Sequence, residues 1–188
     1  MIQQTHWDRE TGMPRWGCTP LAGWIVAPYH AAGKFPEQPT REEAHAIYWD
    51  ARARVSRINP PHHVIEVGPA SAQWRLTTWS PTELLEITCG YVGDGWHAAQ
   101  DPDRLFWYPG QSPGLDYLPA PPWAVPGITY TLINTLRPGR PDGPGANLHA
   151  RLFGPRGDRL IYDPDESLHV DPWARSHEWR AIKCWKER

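Results

Sequence analysis

The chain has 188 residues, which suits a single domain with a sizeable core. Its 22 prolines and 16 glycines are roughly a fifth of the chain against an average of about 12%, yet 40% apolar residues and 12 tryptophans exclude a disordered polymer. A net charge of −2 gives no basic footprint for nucleic acid, and no apolar run approaches the roughly 18 residues of a membrane span.

Cys18-Thr19-Pro20-Leu21-Ala22-Gly23-Trp24-Ile25-Val26-Ala27 reads as a short buried helix. Thr19 is its expected N-cap, Pro20 its first residue, and Pro28 its stop. Thr40-Arg41-Glu42-Glu43 is a capping box. Behind it Ala44, Tyr48, Ala51, Val55 and Ile58 form one helical stripe, closed by Asn59-Pro60-Pro61. His63 to Val67 and Trp74 to Trp79 read as short strands. Ser80-Pro81-Thr82-Glu83 then starts another helix, which ends near Gly90 or Gly93.

Residues 94 to 127 carry many prolines together with Trp96, Phe106, Trp107, Tyr117 and Trp123. A segment of that length and aromatic content is expected to be an ordered loop with a function. Ile128 to Leu136 is a strand by its alternation. Asn147 to Phe153 and Arg159 to Tyr162 form a hairpin across Gly154-Pro155-Arg156-Gly157-Asp158. The tail, Trp179 to Trp185, fits a strand or a helix. Helices first and an antiparallel sheet afterwards predict an α+β domain spanning 1–188, with helices to about residue 93 and strands from about 128.

Three cysteines, Cys18, Cys89 and Cys184, are odd in number and lack a C-x-x-C pair. A disulfide framework and a zinc ribbon are therefore not expected. The first residues show no charged segment followed by an apolar one, so no secretory signal is expected and the setting is read as reducing and cytoplasmic. One thiol is then free for chemistry. Cys18 stands at the start of a predicted helix, where backbone N–H groups and the helix dipole favour a thiolate. A thiolate nucleophile needs a base and a group to orient that base. His149 heads one strand of the predicted hairpin and Asp163 follows the other. Antiparallel pairing would set the two opposite each other, within reach of a hydrogen bond.

In these segments the chain resembles the papain-like cysteine peptidases, in particular the peptidase C39-like group. Trp16-Gly17-Cys18-Thr19-Pro20-Leu21-Ala22 is similar to the nucleophile segment. His149 through Gly154 is similar to the histidine strand, and Tyr162-Asp163-Pro164 to the aspartate turn. The resemblance implies a papain-like arrangement and a Cys18, His149, Asp163 triad. It also implies a glutamine upstream as oxyanion donor, a place that Gln4 or Gln3 would take, with Gln4 the choice. Thr19 departs from the glycine usual after the cysteine, and Asn147-Leu148 from the glycine usual before the histidine. Transglutaminase-like and acyltransferase enzymes share the same order of residues.

The remaining signals are structural. The acidic run from Asp163 to Asp171 lacks the glycine and spacing of an EF-hand, and adjacent strand residues His62 and His63 point apart. No metal and no cofactor is expected, and no phosphate-binding glycine motif occurs. Trp96, Trp107 and Trp123 are the expected walls of a substrate groove. The sequence thus supports a thiol enzyme acting on a peptide or protein substrate. It also leaves open a non-catalytic module, of phage or mobile-element origin, that binds protein or glycan through its aromatic loops.

Overall fold

The computed structural model describes residues 2–11, 17–58, 64–66, 74–76, 81–100, 106–107, 129–136, 148–154, 159–165 and 176–187. Helix α1 spans Gln4–Thr11. A π-helix, Pro20–Val26, runs directly into α2, Ala27–Ala31. Helix α3 spans Arg41–Ile58, and α4 spans Pro81–Val92. Strands β1, Val64–Glu66, and β2, Trp74–Leu76, form a two-stranded antiparallel sheet. The main sheet has six strands: β3 Trp96–Gln100, β4 Phe106–Trp107, β5 Thr129–Leu136, β6 Leu148–Phe153, β7 Leu160–Tyr162 and β8 Ser176–Lys186. Its order is β3-β8-β5-β6-β7, with β4 also paired to β8, and every pairing is antiparallel. The architecture is α+β.

Helix α3 starts as its capping box dictates. The Thr40 hydroxyl accepts from the Glu43 N–H at 3.2 Å, and the Glu43 carboxylate accepts from the Thr40 N–H at 2.8 Å. Its buried stripe is Ala44, Ile47, Tyr48 and Ala51; the side chains of Val55 and Ile58 lie outside the described residues. Helix α4 buries Leu84, Leu85, Thr88, Cys89 and Val92. The buried Thr88 hydroxyl is satisfied by donating to the Leu84 carbonyl at 2.8 Å. The helix runs past Gly90 and stops at Gly93, whose φ of 139° favours glycine.

The first predicted helix differs from expectation at both ends. Thr19 has helical dihedrals and makes no side-chain cap. The Gly17 carbonyl instead accepts from the Leu21 N–H at 2.9 Å, so the helical turn opens at Gly17 and Cys18 lies within its first turn. Pro28 does not end the run, which continues to Ala31. A proline inside an α-helix lacks a donor and clashes with the carbonyl four residues back. The wider π register immediately before it relieves both demands. Every residue from Pro20 to Val26 is buried, and Trp24 ties the π-helix to β3 by donating its indole N–H to the Gln100 side chain at 3.2 Å.

Part of the segment expected to be an aromatic loop is sheet. Residues 96–100 pair with the far end of β8, with Ala98 opposite Cys184. This strand has little β-propensity of its own and is held by a partner far away in sequence. The same pairing makes the tail a strand. The hairpin turn at residues 155–158 and most of 101–128 lie outside the described residues. One buried cluster joins the helices to the sheet, with Trp7, Leu21, Ile25, Tyr29, Ile47, Leu85, Leu152, Tyr162 and Ile182 among its members. No helix among the described residues is long and apolar enough to cross a membrane.

Thr40→Ala removes one half of the capping box and leaves the Glu43 N–H without its acceptor. The substitution is expected to lower unfolding stability by about 1 kcal/mol, read as a lower urea midpoint at unchanged slope.

Candidate functional site

Strand β6 carries His149 and Arg151 on one face and Ala150 and Leu152 on the other. All four are buried, with His149 at 0% exposure. The neighbouring ladder pairs Leu152 with Tyr162, the last residue of β7. Extending that register sets Arg151, not His149, opposite Asp163. His149 therefore reaches Asp163 diagonally instead of straight across, a distance long side chains bridge. The contact is short: His149 Nε2 lies 2.6 Å from Asp163 Oδ1. The same carboxylate oxygen accepts the Asp165 N–H at 2.9 Å, which locks the turn that presents it. Arg151 Nη1 lies 4.0 Å from Asp163 Oδ2 and adds a positive charge behind the carboxylate.

Cys18 meets this pair from the other side. It is 5% exposed, and its side chain interacts with that of His149. With Nε2 engaged by Asp163, Nδ1 is the ring nitrogen left to serve the thiol. Burial drives the His149 pKa down, but hydrogen bonds to Asp163 and Cys18, with the charge of both, outweigh it and set the net direction upward from 6.5. The other two cysteines have no such company. Burial pushes the Cys89 thiol up to about 12, and burial also pushes Cys184 far up. None of the three forms a disulfide.

Gln4 is the buried one of the two upstream glutamines, at 1% exposure. It opens α1, and its backbone N–H donates to the Pro164 carbonyl at 2.8 Å, next to Asp163. Its side-chain Nε2 donates to Asp8 Oδ2 at 3.0 Å. Asp8 Oδ1 in turn accepts the Gly17 N–H at 3.0 Å, next to Cys18. A second stitch lies alongside, where the Tyr162 hydroxyl donates to the Ile2 carbonyl at 2.6 Å. The N-terminal segment is thus bonded both to the segment before the thiol and to the turn bearing the carboxylate.

The structure brings Cys18, His149 and Asp163 together and links Gln4 to both ends of the set. The aromatic residues fare differently. Trp96 lies in β3 and packs against the core cluster. Trp107 lies in β4 with its side chain outside the described residues, as is all of Trp123. Among the described residues no group of three or more His, Cys, Asp or Glu is arranged to hold a metal. Two site residues escaped the sequence reading. Arg151 is two positions from His149, hence on its face of the strand. Asp8 is four positions from Gln4, hence on its face of the helix. Comparison with family models, curated proteins and solved structures gives no match.

Two outcomes follow from this geometry. A Cβ built on Gly17 would lie 2.1 Å from Asp8 Oδ1 and 2.6 Å from Trp7 Cε3. Gly17→Ala should therefore cost about 1–3 kcal/mol in a urea melt and slow labelling of Cys18. Because the folded pKa of His149 is raised above 6.5, the group adds stability below that pH and loses it as pH rises through the folded value. Imidazole proton resonances followed by NMR should titrate above 6.5 in the native chain, and Asp163→Asn should lower that midpoint.

Proposed function

We propose that the chain is a papain-like thiol enzyme that cleaves or transfers an acyl group from a peptide or amide bond. The observation that carries this reading is His149 held between a thiol and a carboxylate. Two ionisable side chains, one from a helix start and one from a turn, converge on the buried imidazole of a strand.

The chemistry follows from the roles. His149 holds the proton that Cys18 gives up, so Cys18 acts as thiolate. Cys18 Sγ attacks the carbonyl carbon, a C–S bond forms, and the carbonyl π electrons move onto oxygen. The Gln4 side-chain N–H and the Cys18 backbone N–H, in the first turn of its helix, are the donors for that oxyanion. The tetrahedral species collapses, the C–N bond breaks, and the amine leaves with the proton from His149. Water or an acceptor amine then attacks the thioester carbon while His149 takes its proton. The C–S bond breaks and Cys18 is restored. Asp163 keeps the ring oriented and balances the imidazolium charge throughout, and it is not itself protonated.

Alkylation with iodoacetamide at graded pH, followed by peptide mapping, tests the reading. Cys18 should react at least about tenfold faster than Cys89 or Cys184 near pH 7. Asp163→Asn, which keeps shape but not charge, should reduce turnover of an activated ester by roughly 10²–10⁴ with little change in thermal midpoint. Equal labelling of all three cysteines overturns the enzyme and leaves the binding module.

A further inference from the structure

Asp8 is 9% exposed and accepts a hydrogen bond at each carboxylate oxygen. Neither donor is a charged side chain: one is the Gln4 amide and the other the Gly17 backbone N–H. Burying a carboxylate is costly, and these two bonds fix where its oxygens lie. The position is also closed to adjustment, since Asp8 and Trp7 leave no space for a side chain at residue 17.

What an ionised carboxylate does here is choose an orientation. The two ends of a glutamine amide are equal in size, and hydrogen-bond partners alone decide which end points where. A carboxylate only accepts, so it holds the NH₂ end of Gln4 toward itself. That group has a second hydrogen beyond the one given to Asp8. Gln4 Oε1, by contrast, has no hydrogen-bond partner among the described residues, although it is buried. An unmet buried acceptor is unfavourable, so the amide is held in this orientation against its own best satisfaction.

We propose that Asp8 is a positioning residue that fixes the Gln4 amide nitrogen as oxyanion donor and, through the Gly17 N–H, sets its placement relative to Cys18. The inference rests on the acyl-transfer reading of Cys18 and Gln4. An amide in place of this carboxylate would offer one acceptor and one donor to two donors. Either the Gly17 bond would be lost, or the Gln4 amide would turn its oxygen to where the nitrogen belongs.

The test uses the full chain and two probes that differ in one respect. Iodoacetamide is attacked at a saturated carbon and develops no oxyanion. p-Nitrophenyl acetate acylates Cys18 through a tetrahedral oxyanion, and the adduct is assigned by intact mass and peptide mapping. Gln4→Met should reduce acylation by about 100-fold relative to alkylation, and Asp8→Asn by at least about tenfold. Adding Asp8→Asn to Gln4→Met should reduce the acylation-to-alkylation ratio little further, because both act through one amide. Retained circular dichroism and alkylation separate this from misfolding. If Asp8→Asn does not fold, Asp8→Glu, which keeps both acceptors, should fold with the acylation-to-alkylation ratio less reduced than in Gln4→Met, and an equal reduction overturns the proposal. If the native chain is acylated and Asp8→Asn changes both probes equally or neither, the positioning role is wrong while the enzyme stands. If native Cys18 is alkylated but never acylated, the acyl-transfer reading falls and takes this inference with it.

Discussion

The short contact between His149 Nε2 and Asp163 Oδ1, 2.6 Å in a nearly closed environment, is the interaction on which the rest of the site depends. An imidazole buried at 0% exposure would ordinarily stay neutral. The carboxylate, together with Cys18, reverses that tendency, and its own turn is fixed by the Asp165 N–H with Arg151 behind it. With one ring nitrogen committed to Asp163, Nδ1 is the one left for Cys18, which also acts on this ring. The hairpin between β6 and β7 is therefore less a scaffold that happens to carry two polar groups than the device that makes a buried histidine basic.

The second constraint is the closure of the N-terminal segment onto this hairpin. Gln4 bonds the carbonyl of Pro164, Tyr162 bonds the carbonyl of Ile2, and Asp8 bonds the N–H of Gly17. The first two join residues separated by most of the chain, so the thiol, the imidazole and the glutamine take their places only when the whole fold is complete. The π-helix contributes rigidity behind Cys18. Its residues are buried throughout, and the indole of Trp24 anchors it to the sheet.

Much of this was legible in the sequence, and for identifiable reasons. Helix α3 announced itself because Thr40 and Glu43 form a local motif whose energetics do not depend on the rest of the chain. The thiol, imidazole and carboxylate stood out because each sits at a strand or helix end. Helix α1 was invisible because its buried face is Gln4, Trp7 and Asp8. Two of those three are polar, so hydrophobic periodicity is silent there, and the burial of polar side chains is itself the mark of function. Strand β3 was obscured by the prolines that follow it and by its dependence on a distant partner. The ends of the first helix were misjudged because Thr19 and Pro28 carry strong local preferences that the π register and the bond from Gly17 override. The diagonal geometry of His149 and Asp163 depends on the register irregularity between Leu152 and Phe153, which no residue pattern reveals.

The central claim is that His149, held by Asp163, keeps Cys18 as a thiolate. The ultraviolet absorbance of the thiolate, followed against pH as the difference between the native chain and Cys18→Ala, measures that state directly. Thiolate absorbance from Cys18 should be present at neutral pH and should vanish there when His149→Ala is introduced. If it arises only in the alkaline range, with and without His149, the two side chains are neighbours without being a catalytic pair, and the account is contradicted.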